Sequence, residues 1–232
     1  MFPAIKGARV EPKEALFEAI QKGDAGAVRA LLARDPRQAA ARNPLGVSAL
    51  MWAQYHRRAD LVEALLAAGA EMDIFEASAL GRLERVRELL ERGPGLERGW
   101  SADGATALHF ACFFAHEAVA ELLVAHGADI HSAARGFGQV TPLHSAAAGR
   151  SPRIVELLLG AGARPDARQQ GGFTALHSAA QQGNLEMVRT LVSYGADPRL
   201  PNDDGRTALD LAREKGHREV AELLENPPPR AG

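Results

Sequence analysis

The chain predicts an all-α array of stacked helix-turn-helix units, and three observations carry that expectation. A pattern returns at a nearly fixed interval: TALHFACFFA from Thr106, TPLHSAAAGR from Thr141, TALHSAAQQG from Thr174 and TALDLAREKG from Thr207, in steps of 35, 33 and 33 residues. A recurrence of that length marks a repeat architecture, in which no unit buries its own apolar face and the stack itself is the fold. Hydrophobic residues make up 46% of the chain but aromatics only 5%. The apolar mass is therefore mostly Ala and Leu, which favours close-packed helices over a sheet. Finally, a glycine lies 21 residues beyond three of the threonines, at Gly127, Gly162 and Gly195, where a helix would end in the left-handed conformation.

Each unit can be built from its residues. Thr at the start is an N-cap whose hydroxyl accepts a free backbone N–H of the first turn, and Pro142 follows one cap where its missing donor is harmless. In that unit Leu143, Ala146 and Ala147 share one face of the first helix, and the repeated Ala lets a partner helix approach closely. Ile154, Val155, Leu157 and Leu158 supply the apolar stripe of the second helix. The two helices form an αα-hairpin, and an extended finger follows Gly162.

The same frame extends backward to SALMWAQYHR from Ser48 with Gly69, to a divergent unit from Met72 with Gly93, and to a first unit from Glu14 with Gly23. That makes seven units. From about residue 11 to residue 225 the chain resembles the ankyrin repeat family, on the pattern T-[AP]-L-H-x-A-A, then G-x-x-x-[VIM], then L-L-x-x-G-A-D. Tetratricopeptide arrays have a similar period but lack both the TPLH start and the GAD end. The resemblance implies a solenoid of helix-turn-helix units with short β-hairpin-like fingers that pair with their neighbours. It also implies a motif His that hydrogen-bonds within the Thr turn. Polar caps are expected at residues 11–43, where Glu11, Glu14, Glu18, Gln21 and Lys22 replace the motif, and at residues 202–225, where Asp210 replaces the motif His. Residues 226–232, with three consecutive Pro, are expected to be a disordered tail.

Several places depart from the pattern. Only 24 residues separate Ser48 from Met72, so about nine residues, the length of a finger, are missing before the unit at 72–105. The next finger, with Trp100, runs one residue over the period, and the one after, with Gly136, Phe137 and Gly138, runs two over. Nine positions after the Thr or Ser, where the pattern places Gly, stand Arg57, Ala115 and Arg150, so those turns are expected to be strained.

Composition limits the function. Lys plus Arg number 27 against 29 Asp plus Glu, a net charge of −2, which gives no field for nucleic acid or an anionic membrane. The Arg residues at 82, 85, 87, 92 and 98 interleave with Glu84, Glu88, Glu91 and Glu97, so that segment reads as a solvated mixed-charge face rather than a phosphate patch. Cys112 stands alone and cannot form a disulfide within the chain, the first ten residues lack the apolar core of a secretory signal, and no apolar run is long enough to span a bilayer. A cytoplasmic protein is expected.

No catalytic signature is present: no G-x-S-x-G, no H-E-x-x-H, no P-loop and no dinucleotide loop after a strand. His109, Cys112 and His116 have the spacing of metal ligands on one helix face. The repeat frame assigns them otherwise: His109 is the motif His, equivalent to His144 and His177, Cys112 takes the place of Ala147 and Ala180 against the partner helix, and His116 lies past the helix end, level with His217. No metal, cofactor or catalysis is expected.

The remaining signal is aromatic. The resemblance implies that the seventh and eighth residues after the Thr project into a concave groove and that residues just before the Thr sit on finger tips. The groove pairs read Gln21 and Lys22, Tyr55 and His56, Ala79 and Leu80, Phe113 and Phe114, Ala148 and Gly149, Gln181 and Gln182, Glu214 and Lys215. The middle is apolar and the ends are polar, with Trp100, Phe137 and Phe173 on or near adjoining fingers. An aromatic centre with a polar rim is the composition of a protein-binding hot spot. The expected partner-binding residues are therefore Tyr55, His56, Leu80, Trp100, Phe113, Phe114, Phe137 and Phe173, and the expected partner is another protein. A homo-oligomer that covers the same patch is the alternative, with a monomer favoured. A competing use of Phe113 and Phe114 is to fill the space left by the lost finger and the small Ala79.

Overall fold

The structure is a computed structural model that describes residues 12–136 and 138–227. Glu11, Phe137 and most of the expected tail lie outside the described residues. The described residues form fourteen α-helices and no strand, in two compact units divided after Met72. Each unit is built of helix pairs.

The first unit holds α1 (Pro12–Lys22), α2 (Ala25–Arg34), α3 (Ala49–Tyr55) and α4 (Ala59–Ala67). Leu16, Ile20, Val28, Leu50, Leu61 and Leu65 form its core, at 1% exposure or less. Glu14, Glu18, Gln21 and Lys22 face solvent on α1, as a polar first helix requires. Trp52 ties α3 to α1: its indole N–H donates to the carbonyl of Phe17, and the two rings meet edge to face. Ser48 caps α3 by accepting from the N–H of Met51. The finger before it is closed by Asn43, whose side-chain oxygen accepts from the N–H groups of both Leu45 and Val47. That finger holds the one isolated β-bridge among the described residues, between Arg42 and Ser48.

The second unit holds five pairs: α5 (Ile74–Ala79) with α6 (Leu83–Arg92), α7 (Ala107–Phe113) with α8 (Glu117–Ala125), α9 (Pro142–Ala148) with α10 (Pro152–Gly160), α11 (Ala175–Gln182) with α12 (Leu185–Ser193), and α13 (Ala208–Glu214) with α14 (Arg218–Glu225). Thr106, Thr141, Thr174 and Thr207 are the N-caps of α7, α9, α11 and α13, as the motif predicts. Leu143, Ala146 and Ala147 are buried, and so are Ile154, Val155 and Leu158. Leu157 differs: Leu159 takes the fourth buried place in α10 and Leu157 is half-buried, because the stripe turns with the helix. Fingers in this unit pair through single backbone bonds, from Arg135 N–H to Gly104 O, Gln170 N–H to Gly138 O and Asp203 N–H to Gly171 O. At the C-terminal end Val220, Leu223 and Leu224 are buried while Arg218, Glu219, Glu222 and Glu225 face solvent.

Three local features differ from the repeat frame or sharpen it. The pair α5/α6 begins at Asp73, one residue after the Thr position, and replaces Thr and His with its own reciprocal cap: Asp73 accepts from the N–H groups of Phe75 and Glu76, and the Glu76 carboxylate accepts from Asp73 N–H. At the end of α6 the left-handed residue is Gly95 rather than Gly93. Arg57, Ala115 and Arg150 all have positive φ, at 55°, 60° and 61°, a region that costs an L-residue about 1–2 kcal/mol.

Candidate functional site

The motif histidines are fixed by two bonds each. In His109, His144 and His177, Nδ1 accepts the N–H of the capping Thr at 3.2–3.3 Å and also contacts its hydroxyl. Nε2 faces a carbonyl oxygen in the following finger: Val140 at 3.0 Å, Phe173 at 3.3 Å and Arg206 at 3.1 Å, respectively. A carbonyl only accepts, so Nε2 carries the proton and Nδ1 is the acceptor, which fixes the neutral tautomer. Burial lowers the affinity of all three rings for a second proton. With both nitrogens engaged, none of the three is placed to bind a metal or act as a base. In α13 Asp210 does the work of the Nδ1 acceptor, taking both the N–H and the hydroxyl of Thr207. Cys112 is wholly buried, and burial raises its thiol pKa far above the ordinary value.

His116 and His217 have a role the sequence reading did not assign. Each begins the second helix of its pair, and its Nε2 donates to a carbonyl in the last turn of the first helix of the preceding pair: Ala79 at 2.9 Å for His116, Gln181 at 3.1 Å for His217. The rings lie directly on Gly81 and Gly183, both left-handed. The equal placement of the two histidines in the repeat was the available signal.

The C-terminal ends of the first helices carry the expected partner-binding residues, and the structure brings only some of them together. Phe113 and Phe114 meet edge to face with ring centroids 5.1 Å apart. Phe113 is 47% exposed, whereas Phe114 is half-buried. Leu80, on the adjacent α5/α6 turn, is half-buried, and Ala79 is fully buried. At the end of α9, Ala148 is exposed and Gly149 rests on the carbonyls of Cys112 and Phe113. Further along, Gln182 donates to Ala147 O, and Gln181, Glu214 and Lys215 are exposed.

The other candidates stand elsewhere. Trp100 lies under the guanidinium of Arg135, 4.2 Å from its ring centroid, and ties two neighbouring fingers together. Phe173 is half-buried and its ring lies 5.5 Å from that of His177. In the first unit Tyr55 and His56 are half-buried, and His56 packs edge-on against Trp52 at 4.8 Å. Leu45, at 75% exposure on its finger tip, was not among the expected residues, because nothing in the repeat pattern distinguishes a turn Leu from a packed one.

Comparison with protein families gives two matches. A model described as ankyrin repeats (3 copies) matches residues 4–76 and 143–228, and one described as ankyrin repeats (many copies) matches residues 74–124 and 108–159. The chain belongs to the ankyrin repeat family. Ankyrin repeats generally serve as protein–protein interaction modules and are typically non-catalytic. A comparison with curated proteins finds no match. No helix among the described residues is long and apolar enough to cross a membrane.

Proposed function

We propose that this ankyrin repeat chain binds a partner protein through the C-terminal ends of its first helices, with Phe113 as the anchor, and that it needs no catalysis or cofactor to do so. The observation that carries the reading is the exposure of Phe113, 47%, edge to face with Phe114 and with Gly149 against its backbone carbonyl. Exposed Gln181, Glu214 and Lys215 supply a polar rim. A large exposed aromatic beside small residues is a surface that gains when apolar groups cover it. Trp100 and Phe173 extend the reading to the fingers of the second unit, and Tyr55 and His56 are read as partner-binding residues of the first unit by itself. The seven helix pairs over 11–225 are read as one binding module, and the single buried thiol fits a reducing compartment.

The test is affinity capture with the intact chain and with Phe113→Ala, followed by a binding titration of whatever is retained. We expect the variant to lose roughly thirtyfold in affinity, about 2 kcal/mol. Retention unchanged by the substitution overturns the reading at Phe113. Light scattering of the purified chain distinguishes the alternative: a dimer that Phe113→Ala converts to a monomer assigns the patch to self-association.

A further inference from the structure

We propose that His109, His144 and His177 form three acid-sensitive latches within the second unit, each of which holds the backbone N–H of its own capping Thr only while its ring is neutral. Each ring accepts the N–H of its capping Thr at Nδ1 and donates from Nε2 to a carbonyl about thirty residues further along the chain. A second proton must enter at Nδ1, where it meets a backbone N–H that has no other acceptor in this arrangement. Protonation therefore takes the acceptor away from the Thr N–H, leaves the new Nδ1–H only the Thr hydroxyl oxygen to turn to, and places a charge on a residue that is 3% exposed or less.

The other histidines differ in the feature that matters. His116 and His217 donate from Nε2 to Ala79 and Gln181, and neither uses Nδ1 to hold a capping N–H. In the last pair Asp210 replaces the imidazole, and its hydrogen bonds from the Thr207 hydroxyl and N–H hold its carboxyl below the usual carboxylate range. The first pair of the unit uses Glu76. Acid sensitivity is thus confined to α7, α9 and α11, between ends capped by carboxylates.

Among the described residues, the ionisable groups facing the rings are few. Asp129 favours the protonated form of His109, and His144 opposes it; Arg168, itself paired with Asp203, opposes protonation of His177. The closed latch holds the three pKa values below the ordinary 6.5, and an opened junction releases its ring to that value. Closure is therefore complete above about pH 6.5. As the pH falls below it, the open form gains by up to about tenfold per pH unit for each ring released, until the closed-state pKa is reached.

The test is amide hydrogen exchange on the full chain at pH 7.0, 6.0 and 5.0, with each rate corrected for its intrinsic pH dependence. The protection factors of Thr106, Thr141 and Thr174 are expected to fall by about tenfold or more between pH 7.0 and 5.0, and that of Thr207 to stay within about threefold. His144→Gln, which keeps an N3 acceptor without a titrating proton, is expected to abolish the fall at Thr141 and leave it at Thr106 and Thr174. Equal losses at Thr207 and the three His-capped threonines, or no loss at any of them, would overturn the proposal. If His144→Gln does not fold, the comparison within the unmodified chain decides alone.

Discussion

The α-carbon of Gly149 lies against the carbonyl oxygen of Phe113, so close that a methyl group on it would stand 2.6 Å from that oxygen. The φ of Gly149 is −71°, an ordinary helical value, so the glycine is required by the approach of α9 to α7 and not by backbone conformation. The obstacle is backbone on both sides, from Cys112 and Phe113, and backbone cannot swing away. Gly149→Ala is expected to lower stability by about 1–3 kcal/mol, although Ala is the better helix former, and urea denaturation measures it directly. An unchanged or raised midpoint would show that the two helices separate at little cost.

Ala115 presents the opposite case. Its φ of 60° is the left-handed value that an L-residue occupies at a cost, and the side chain is exposed, so nothing in packing offsets it. Ala115→Gly removes a penalty of about 1–2 kcal/mol and adds unfolded-state entropy worth about 0.4–1 kcal/mol. A net gain of about 0.5–1 kcal/mol in urea stability is expected. A loss would mean that the methyl group makes contacts worth more than the strain.

The two adjacent phenylalanines should separate in a thermal melt. Phe113, nearly half exposed, loses little on truncation, and Phe113→Ala is expected to cost less than about 1 kcal/mol. Phe114 caps α7 and is half-buried, so Phe114→Ala should cost about 1–2 kcal/mol. The reverse order in the two melting temperatures would place Phe113 in the core and remove it as an anchor.

Exchange rates should also vary along the second unit. Helix α5 has six residues against seven in α7 and α9, and it starts one residue late on the Asp73 cap. Amides in residues 76–90 are expected to exchange faster at pH 7 than those in residues 143–159. Slower exchange in the first segment would show that the reciprocal Asp73 and Glu76 cap more than compensates for the missing Thr and His.

Much of this was readable from the chain. The spacing of Thr106, Thr141, Thr174 and Thr207 determined the helix starts, because an N-cap is decided by a side chain three residues from the N–H it serves. The positive φ of Arg57, Ala115 and Arg150 followed from counting positions, because a short turn between two helices admits one backbone path. The buried set of Leu143, Ala146 and Ala147 followed from helical period. Each of these is a local relation that recurs along the chain, so one legible copy explains the others.

What the tertiary structure alone decided concerns neighbours that differ from one another. The sequence names Phe113 and Phe114 as a pair, but only the tertiary structure leaves one exposed and half-buries the other. It places Trp100 and Arg135 35 residues apart, yet their stacking depends on how two fingers meet. It shows His116 and His217 at matching positions, but not that each rests on a left-handed glycine of the preceding pair. The physical reason is the same in all three: capping and period are set within a few residues, whereas exposure and stacking are set by how closely two helix pairs approach, as Gly149 allows against the carbonyls of Cys112 and Phe113.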